Sequence, residues 1–204
     1  MNKEFKELYE ADIARYGGKS DFILRLFLRL FRREQTAKNA FSRRWYHFFF
    51  TALRYMLHIE MWAPTKIGKG LYVGHPFCIG VNPRATIGEN CNIHKSASVG
   101  QENRGKRKGY PTIGNYVWLG MGSTIVGNVT IGDDVLIAPN TYVNCSVPSH
   151  SVVFGNPCII KRKYNATGHY INNPVPMSDP EKEKDIWCGE EEFLRRLAAE
   201  ESAG

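Results

Sequence analysis

The chain has 204 residues, of which 43% are hydrophobic and 23% are charged, and this composition predicts a globular protein rather than a disordered one. The net charge of +7 is uneven, because residues 1–62 carry +5, residues 63–180 carry +6 and residues 181–204 carry −4. No apolar stretch reaches the roughly 18–20 uncharged residues of a membrane span. The five cysteines form no C-x-x-C pair and the first residues lead into no signal-type segment, which predicts reduced thiols and a cytoplasmic protein.

Residues 1–62 are predicted to form a helical segment. One helix has an apolar stripe (Phe22, Ile23, Leu26, Phe27 and Leu30) with arginines on the opposite side (Arg25, Arg29, Arg32 and Arg33). A second helix, from Thr36 to Ile59, carries Phe41, Trp45, Phe48, Phe49, Leu53 and Met56. Two interpretations stay open. Either these helices pack on the rest of the protein or a partner subunit, or residues 20–60 contact a membrane surface.

From residue 67 onward the chain follows a period of six, which fits neither the helical period of 3.6 nor the alternation of a plain strand. With two extra residues after Ile79 and about eight after Val99, every sixth residue is aliphatic. These positions are Ile67, Val73, Ile79, Ile87, Ile93, Val99, Ile113, Leu119, Ile125, Ile131, Ile137 and Val143. The pattern predicts short strands joined by corners, three to a triangular coil of about 18 residues, with the aliphatic side chains pointing inward and the coils stacked by parallel pairing.

The run from Ile113 to Val135, and the closing Val152–Pro157, resemble the left-handed β-helix of the hexapeptide-repeat acyltransferases. The resemblance lies on the serine acetyltransferase branch, and it supplies the left-handed sense of the coil. We therefore expect a mainly β protein in three parts. These are an N-terminal helical segment (1–62), a left-handed parallel β-helix (63–163) and an extended tail that ends in a short acidic helix (164–204).

His75 is the principal candidate for catalysis. It follows the inward Val73 by two residues, near a corner where its side chain can point outward. The surrounding Gly70–Pro76 resembles the segment of serine acetyltransferases that supplies their catalytic histidine, and Ile59–Gly68 resembles the segment whose aspartate orients it. The resemblance implies His75 as general base and Glu60 as its partner. An imidazole with an ordinary pKa of about 6.5 can accept a hydroxyl proton at neutral pH.

The extra residues after Val99 predict a protruding loop over residues 101–112. Its cations, among them Arg104, either meet an anionic substrate or are simply solvated. Near the end of this loop the serine enzymes have Arg-His-Pro, where this chain has Gly109, Tyr110 and Pro111, so the resemblance implies that the amino-acid carboxylate clamp is missing. Tyr110 and Arg104 are candidates for acceptor binding. His94, about one coil after His75, is a third candidate, and its alternative is a surface turn residue.

The resemblance further implies that acetyl-CoA lies in a groove between subunits of a homotrimer. The matching corner residues are Gly120, Met121, Gly122, Ala138 and Pro139. Lys161 and Arg162 are candidates for binding the nucleotide phosphates. The histidine spacing of β-helical zinc enzymes is missing, so we expect no metal, and no nucleic-acid partner is indicated.

The sequence thus favours an O-acetyltransferase in which a hydroxyl, deprotonated by His75, attacks the acetyl-CoA thioester directly. The expected acceptor is a carbohydrate, namely a sugar hydroxyl of a surface polysaccharide or its precursor, because the amino-acid clamp is missing. The alternatives are a serine O-acetyltransferase of cysteine biosynthesis and a non-catalytic β-helical scaffold. If residues 20–60 contact lipid, the protein is expected at the inner face of the membrane.

Overall fold

The computed structural model describes residues 2–203, with helices on either side of a β-helix. Three helices come first, α1 (Lys3–Ala14), α2 (Phe22–Gln35) and α3 (Ala40–Leu57), and two come last, α4 (Pro180–Ile186) and α5 (Glu190–Ala203). The first three helices begin at Asn2, Asp21 and Asn39, whose side chains accept a hydrogen bond from a free backbone N–H of the first turn. None of the helices in residues 2–203 is long and apolar enough to cross a membrane.

Between the helices, short strands wind into a triangular coil with three faces. The first face contains β1 (Lys66–Ile67), β4 (Thr86–Ile87), β7 (Thr112–Ile113) and β10 (Thr130–Ile131). The second contains β2 (Tyr72–Gly74), β5 (Asn92–His94), β8 (Trp118–Leu119), β11 (Val135–Ile137), β13 (Ser151–Phe154) and β14 (Ile159–Arg162). The third contains β3 (Gly80–Val81), β6 (Ser98–Gly100), β9 (Thr124–Val126) and β12 (Tyr142–Val143). All pairings are parallel except that of β13 with β14.

The core of the coil consists of the aliphatic residues of the six-residue repeat. All twelve are at most 5% exposed, so their inward orientation is confirmed. Thr112 pairs with Thr130, one regular coil further along the chain. Lys66 pairs with Thr86, and Thr86 pairs with Thr112, so these two coils contain more residues than the regular coil. The additional residues lie at corners, outside the paired strands. The register therefore survives the insertions because the extra residues never enter a strand.

Helices α1 and α2 close the open edge of the first coil. Arg32 was expected on the exposed side of α2, but its side chain is fully buried, so that expectation is wrong. Its guanidinium donates hydrogen bonds to the carbonyl oxygens of Ile67 (2.8 Å) and Gly68 (2.6 Å) and pairs with the carboxylate of Asp12 (2.7 Å). Asp12 in turn accepts a hydrogen bond from the N–H of Leu71. The edge of a sheet leaves polar backbone groups unpaired, and this ion pair satisfies them.

The apolar faces of the N-terminal helices differ from those predicted. Helix α2 buries Leu24, Phe27, Leu28 and Phe31, whereas Phe22 and Ile23 are exposed. Helix α3 packs against α2 through Phe50 and Leu53, and its opposite side is apolar as well. On that side Phe41, Trp45, Phe48, Phe49, Tyr55 and Met56 are all exposed. The helices thus pack on the β-helix mainly through α2, and the outer face of α3 is uncovered in the single chain.

The C-terminal tail lies against the β-helix instead of extending into solvent. In buried Asp134, Oδ1 accepts a hydrogen bond from the N–H of Thr167, and Oδ2 accepts one from the N–H of Ala166 and also lies 2.9 Å from Nδ1 of His150. The segment predicted to be extended includes the seven-residue helix α4. The expected acidic helix is α5, which is anchored by the buried Phe193.

Candidate active site

His75 occupies the corner between β2 and β3, and its side chain is exposed, as the sequence predicts. The residue adopts a left-handed backbone conformation (φ 53°), which turns the chain sharply out of the second face. The end of α3 supports this corner. The N–H of Cys78 donates to the carbonyl of Leu57 (3.4 Å), and the rings of Phe77 and His58 lie 5.2 Å apart. An exposed imidazole on a supported corner is well placed to contact a substrate.

His94 belongs to strand β5, where it pairs with Gly74, so its interpretation as a surface turn residue is wrong. A Cβ atom at position 74 would overlap the imidazole of His94, and glycine is therefore required for the ring to lie there. The ring packs 4.7 Å from Trp118 and 6.1 Å from Tyr72. Its Nε2 atom is buried and has no hydrogen-bond partner. His75 and His94 therefore lie at the same corner. The His75 ring is exposed, and the His94 ring is largely buried next to it.

Burial of the His94 ring, with a smaller effect from His75, lowers the pKa of His94 to about 4. A histidine in the unfolded chain titrates at about 6.5. The contribution of neutral His94 to the free energy of unfolding is therefore fully present above that pH, and it is lost as the pH falls toward 4 because only the unfolded chain takes up the proton. Between about pH 7 and pH 5 we expect the wild type to lose about 1 kcal/mol more unfolding free energy than His94→Phe, after allowing for the partly exposed ring. Urea unfolding at the two pH values measures this. The exposed His169, as His169→Gln, is the control, and equal losses in the wild type and His94→Phe would contradict the prediction.

Glu60 lies on the third face, one coil before β3. Its backbone pairs with Ile79 and Val81, and its side chain is exposed. A groove of about 290 Å³ begins beside it and crosses the small residues Gly80, Ser98 and Gly100. His75 lies at the edge where this face begins, although it does not line the groove itself.

The loop after β6 is an ordered hairpin. The backbones of Glu102 and Gly109 pair with each other, and the Arg107 guanidinium forms an ion pair with the Glu102 carboxylate at 3.0 Å. Arg104 lies at the exposed tip of this hairpin. Tyr110 is 38% exposed at its base, where the Cζ atom of Arg84 lies 5.9 Å from the ring centroid. No sequence motif marks Arg84. Its position beside Tyr110 results from the stacking of two coils.

The corner residues predicted to contact the acyl donor form a column in line with His75. The N–H of Gly122 donates to Lys95 and the N–H of Asn140 donates to Met121, which stacks successive corners. Met121 and Pro139 are exposed along this column, next to Gly120 and Ala138. Such a column presents backbone groups and a shallow apolar edge to an extended ligand.

Lys161 and Arg162 lie on β14, and they are not equivalent. Lys161 is exposed, with its Nζ atom 5.8 Å from the ring centroid of Phe154. Arg162 contacts helix α5. Its guanidinium forms an ion pair with Glu200 at 2.6 Å and lies 5.8 Å from the ring centroid of Phe193. Of the two predicted phosphate ligands, only Lys161 is thus open to an incoming anion. Within residues 2–203 no cluster of three His, Cys, Asp or Glu side chains could hold a metal ion.

Residues 110–145 match the family model "Bacterial transferase hexapeptide (six repeats)". The serine acetyltransferase of Staphylococcus epidermidis is 35% identical over 128 residues, which cover 61% of this chain and 60% of that protein. Soybean serine acetyltransferase, as the apoenzyme, superposes with a TM-score of 0.69 at 21% identity, covering 78% of this chain and 70% of that one. The enzyme of Brucella abortus in complex with coenzyme A is also similar, with 20% identity over 79% of this chain and 69% of that one.

The matched repeat and the similar structures confirm the predicted left-handed β-helix of hexapeptide repeats. Within that class, the repeat region is similar to the serine acetyltransferases. The chain spans about 60% of the length of the curated relatives that it matches first.

The expected polysaccharide acceptor is wrong, because the similar sequences and structures are serine acetyltransferases. That expectation depended on Gly109 and Tyr110, which stand where the resemblance implies arginine and histidine. It missed Arg84, which the fold brings to the same corner.

Proposed function

We propose that the protein is an acetyl-CoA-dependent serine O-acetyltransferase. In this reaction the imidazole of His75 takes the proton of the serine hydroxyl as the oxygen attacks the thioester carbonyl. The thiolate of coenzyme A then leaves and is protonated, so the acetyl group passes directly from sulfur to oxygen. The exposed His75 imidazole at a rigid corner carries this proposal, supported by the similarity to serine acetyltransferases.

Glu60 is proposed to orient His75 through the ring nitrogen that does not face the substrate. A carboxylate in that position selects the tautomer and stabilises the imidazolium that forms. The exposed Glu60 side chain on the face that starts at the His75 corner supports this role. The contact would form on substrate binding, since catalytic hydrogen bonds often tighten only with substrate present.

The acyl donor is proposed to lie along the column of corners that contains Gly120, Met121, Gly122, Ala138 and Pro139. Met121 and Pro139 are exposed and Gly122 and Ala138 are partly exposed, and since Pro139 has no N–H to donate, the pantetheine amides would bond elsewhere on the column. Lys161 is proposed to meet the nucleotide phosphates. The corner of Lys95 separates this column from His75, and the same line of stacked corners contains both, so an extended donor that lies along it would point its thioester toward the base.

Arg84 is proposed to bind the carboxylate of serine. It is exposed, lies beside Tyr110 and has no carboxylate partner within residues 2–203. Arg84 and His75 are at opposite ends of the third face, however, and residues 79–82 between them alone span about 10 Å. A free serine cannot bridge that distance. We therefore propose a homotrimer in which Arg84 of one subunit approaches His75 of the next, with the site between them.

Steady-state kinetics test the acceptor. We expect kcat/KM for L-serine of about 10⁴ M⁻¹s⁻¹ or more in the wild type. Because hydrogen bonds to charged groups contribute about 1.5–3 kcal/mol, Arg84→Ala should raise KM for L-serine by about 10- to 100-fold. Arg104→Ala, on the exposed tip of the hairpin, is the matched control and should change little. An inactive wild type with serine would overturn the proposed function, whereas a silent Arg84→Ala would overturn only the role of Arg84.

Subunit mixing tests the shared site. Homotrimers of His75→Ala and of Arg84→Ala each lack one half of every site, whereas mixed trimers contain intact sites. With random mixing we expect about a quarter of wild-type activity at low serine concentration. If the mixture is no more active than the average of its two components, or if sedimentation shows an active monomer, the shared site is wrong.

We also propose that residues 20–60 bind peripherally to an anionic membrane surface, without crossing it. The exposed residues of α3 recur three or four positions apart and form one continuous aromatic face, comprising Phe41, Trp45, Phe48, Phe49, Tyr55 and Met56. The chain from residue 35 to residue 59 contains no acidic residue, and its exposed or partly exposed cations are Lys38, Arg43 and Arg44. Face-to-face pairing of two copies would bring these cations together without a counter-charge, whereas an anionic lipid surface is complementary to them.

Vesicle flotation tests this contact. We expect the wild type to float with vesicles that contain phosphatidylglycerol, to float less with pure phosphatidylcholine, and to be released by salt. Phe48→Glu should abolish flotation. Leu194→Glu, which alters another exposed apolar residue, on α5, should not. If Phe48→Glu instead dissociates a larger oligomer and the wild type does not float, the face is a subunit contact and the membrane role is wrong.

A further inference from the structure

Cys145 and Cys158 come together at the C-terminal end of the β-helix. Their Sγ atoms are 3.8 Å apart, although the residues are 13 positions apart in the chain. Cys145 lies in the corner after β12, and Cys158 lies in the turn between β13 and β14. The turn folds back over the corner because the N–H of Tyr142 donates to the carbonyl of Gly155. The proximity of the two thiols is therefore a product of the coil stacking.

Both thiols are placed where a reagent can reach them and where the backbone can adjust. Cys145 is exposed and Cys158 is partly exposed, in contrast to the fully buried Cys91. Residues 155–157 of the turn are exposed and belong to no strand. A disulfide has an S–S length of about 2.05 Å, so the sulfur atoms must approach by less than about 2 Å.

We propose that Cys145 and Cys158 form a reversible intramolecular disulfide with low-molecular-weight disulfides such as oxidised glutathione. One cysteine thiolate attacks the reagent, forms a mixed disulfide and expels one glutathione thiolate. The second cysteine thiolate attacks the protein sulfur of that adduct and expels the second glutathione thiolate. Two protein thiols are oxidised and one glutathione disulfide is reduced to two glutathione thiols. The bond would tie the last corner of the coil to the turn that leads into β14.

Mass spectrometry of the full-length reduced protein, incubated with oxidised glutathione in a mildly alkaline buffer, tests the proposal. Burial and the neighbouring Cys158 thiol raise the pKa of Cys145, and the mild alkalinity supplies the thiolate. We expect the intact mass to fall by about 2 Da, a change that dithiothreitol reverses, and peptide mapping to join residues 145 and 158. The readout does not depend on the acetyl-transfer reaction.

Variants separate this pair from the other cysteines. Cys145→Ser should block the loss of two hydrogens and accumulate a glutathione adduct on Cys158. Cys78→Ser, which removes another exposed thiol, should behave as the wild type. In denaturant we expect disulfides between several different pairs of cysteines instead of the single Cys145–Cys158 disulfide, because only the folded coil brings these two sulfur atoms together. Stable adducts on both cysteines of the wild type, an unchanged mass, or disulfides only between chains would each overturn the proposal.

Discussion

Replacing His75 by alanine is expected to lower kcat for acetyl transfer by about 10²- to 10⁴-fold, because a positioned general base contributes that much. The fold should survive, since the side chain is exposed and fills no part of the core. Affinity for coenzyme A should change little if the donor lies along the neighbouring corners. Single-turnover kinetics and calorimetric binding of coenzyme A measure the two effects separately.

Chemical rescue makes the His75 prediction specific. Free imidazole should restore part of the activity of His75→Ala, because it can enter the vacated position and accept the proton, and should not affect His169→Ala. His169 is an exposed histidine on the tail and serves as the matched control. Activity of His75→Ala close to that of the wild type would remove His75 from the mechanism, and the proposed function would then need a different base.

Replacing Asp12 by alanine is expected to lower the free energy of unfolding by about 3–5 kcal/mol, because it leaves the buried Arg32 charge without a partner. Both side chains are fully buried. Burial raises the pKa of Asp12 even though Arg32 acts in the opposite direction, so desolvation of the carboxylate outweighs the attraction. Burying the pair therefore costs desolvation free energy, and removing only one of the two charges costs more, because the other charge stays buried without a partner. Urea unfolding followed by circular dichroism measures the loss.

Two comparisons isolate the charge effect. Glu10→Ala removes the exposed pair between Lys6 and Glu10 on the same helix and should cost less than about 1 kcal/mol. The double variant Asp12→Leu with Arg32→Met removes both charges and should be more stable than Asp12→Ala alone, since no unpaired charge remains buried. If Asp12→Ala is as stable as Glu10→Ala, Arg32 does not depend on this carboxylate.

The sequence determined the β-helix and the principal catalytic candidate. One inward side chain per strand produces a period of six, and the period is visible along the chain because each coil repeats the same local geometry. The corner position of His75 follows from its distance to the inward Val73, and the structure places it there. The motif around His75 also directed attention to serine acetyltransferases, although the acceptor was then assigned wrongly from the loop residues Gly109 and Tyr110.

The tertiary structure alone decided which apolar and charged residues are covered. Helix α3 has apolar residues on two sides, so its sequence could not show that Phe50 packs inward and Phe48 points to solvent. Arg32 resembles its exposed neighbours in sequence and is buried only because the first coil presents unpaired carbonyl groups to it. Arg84 and Tyr110, like Cys145 and Cys158, meet through coil stacking. Contacts of this kind depend on which corners come to lie above one another in successive coils, and therefore no local pattern in the sequence records them.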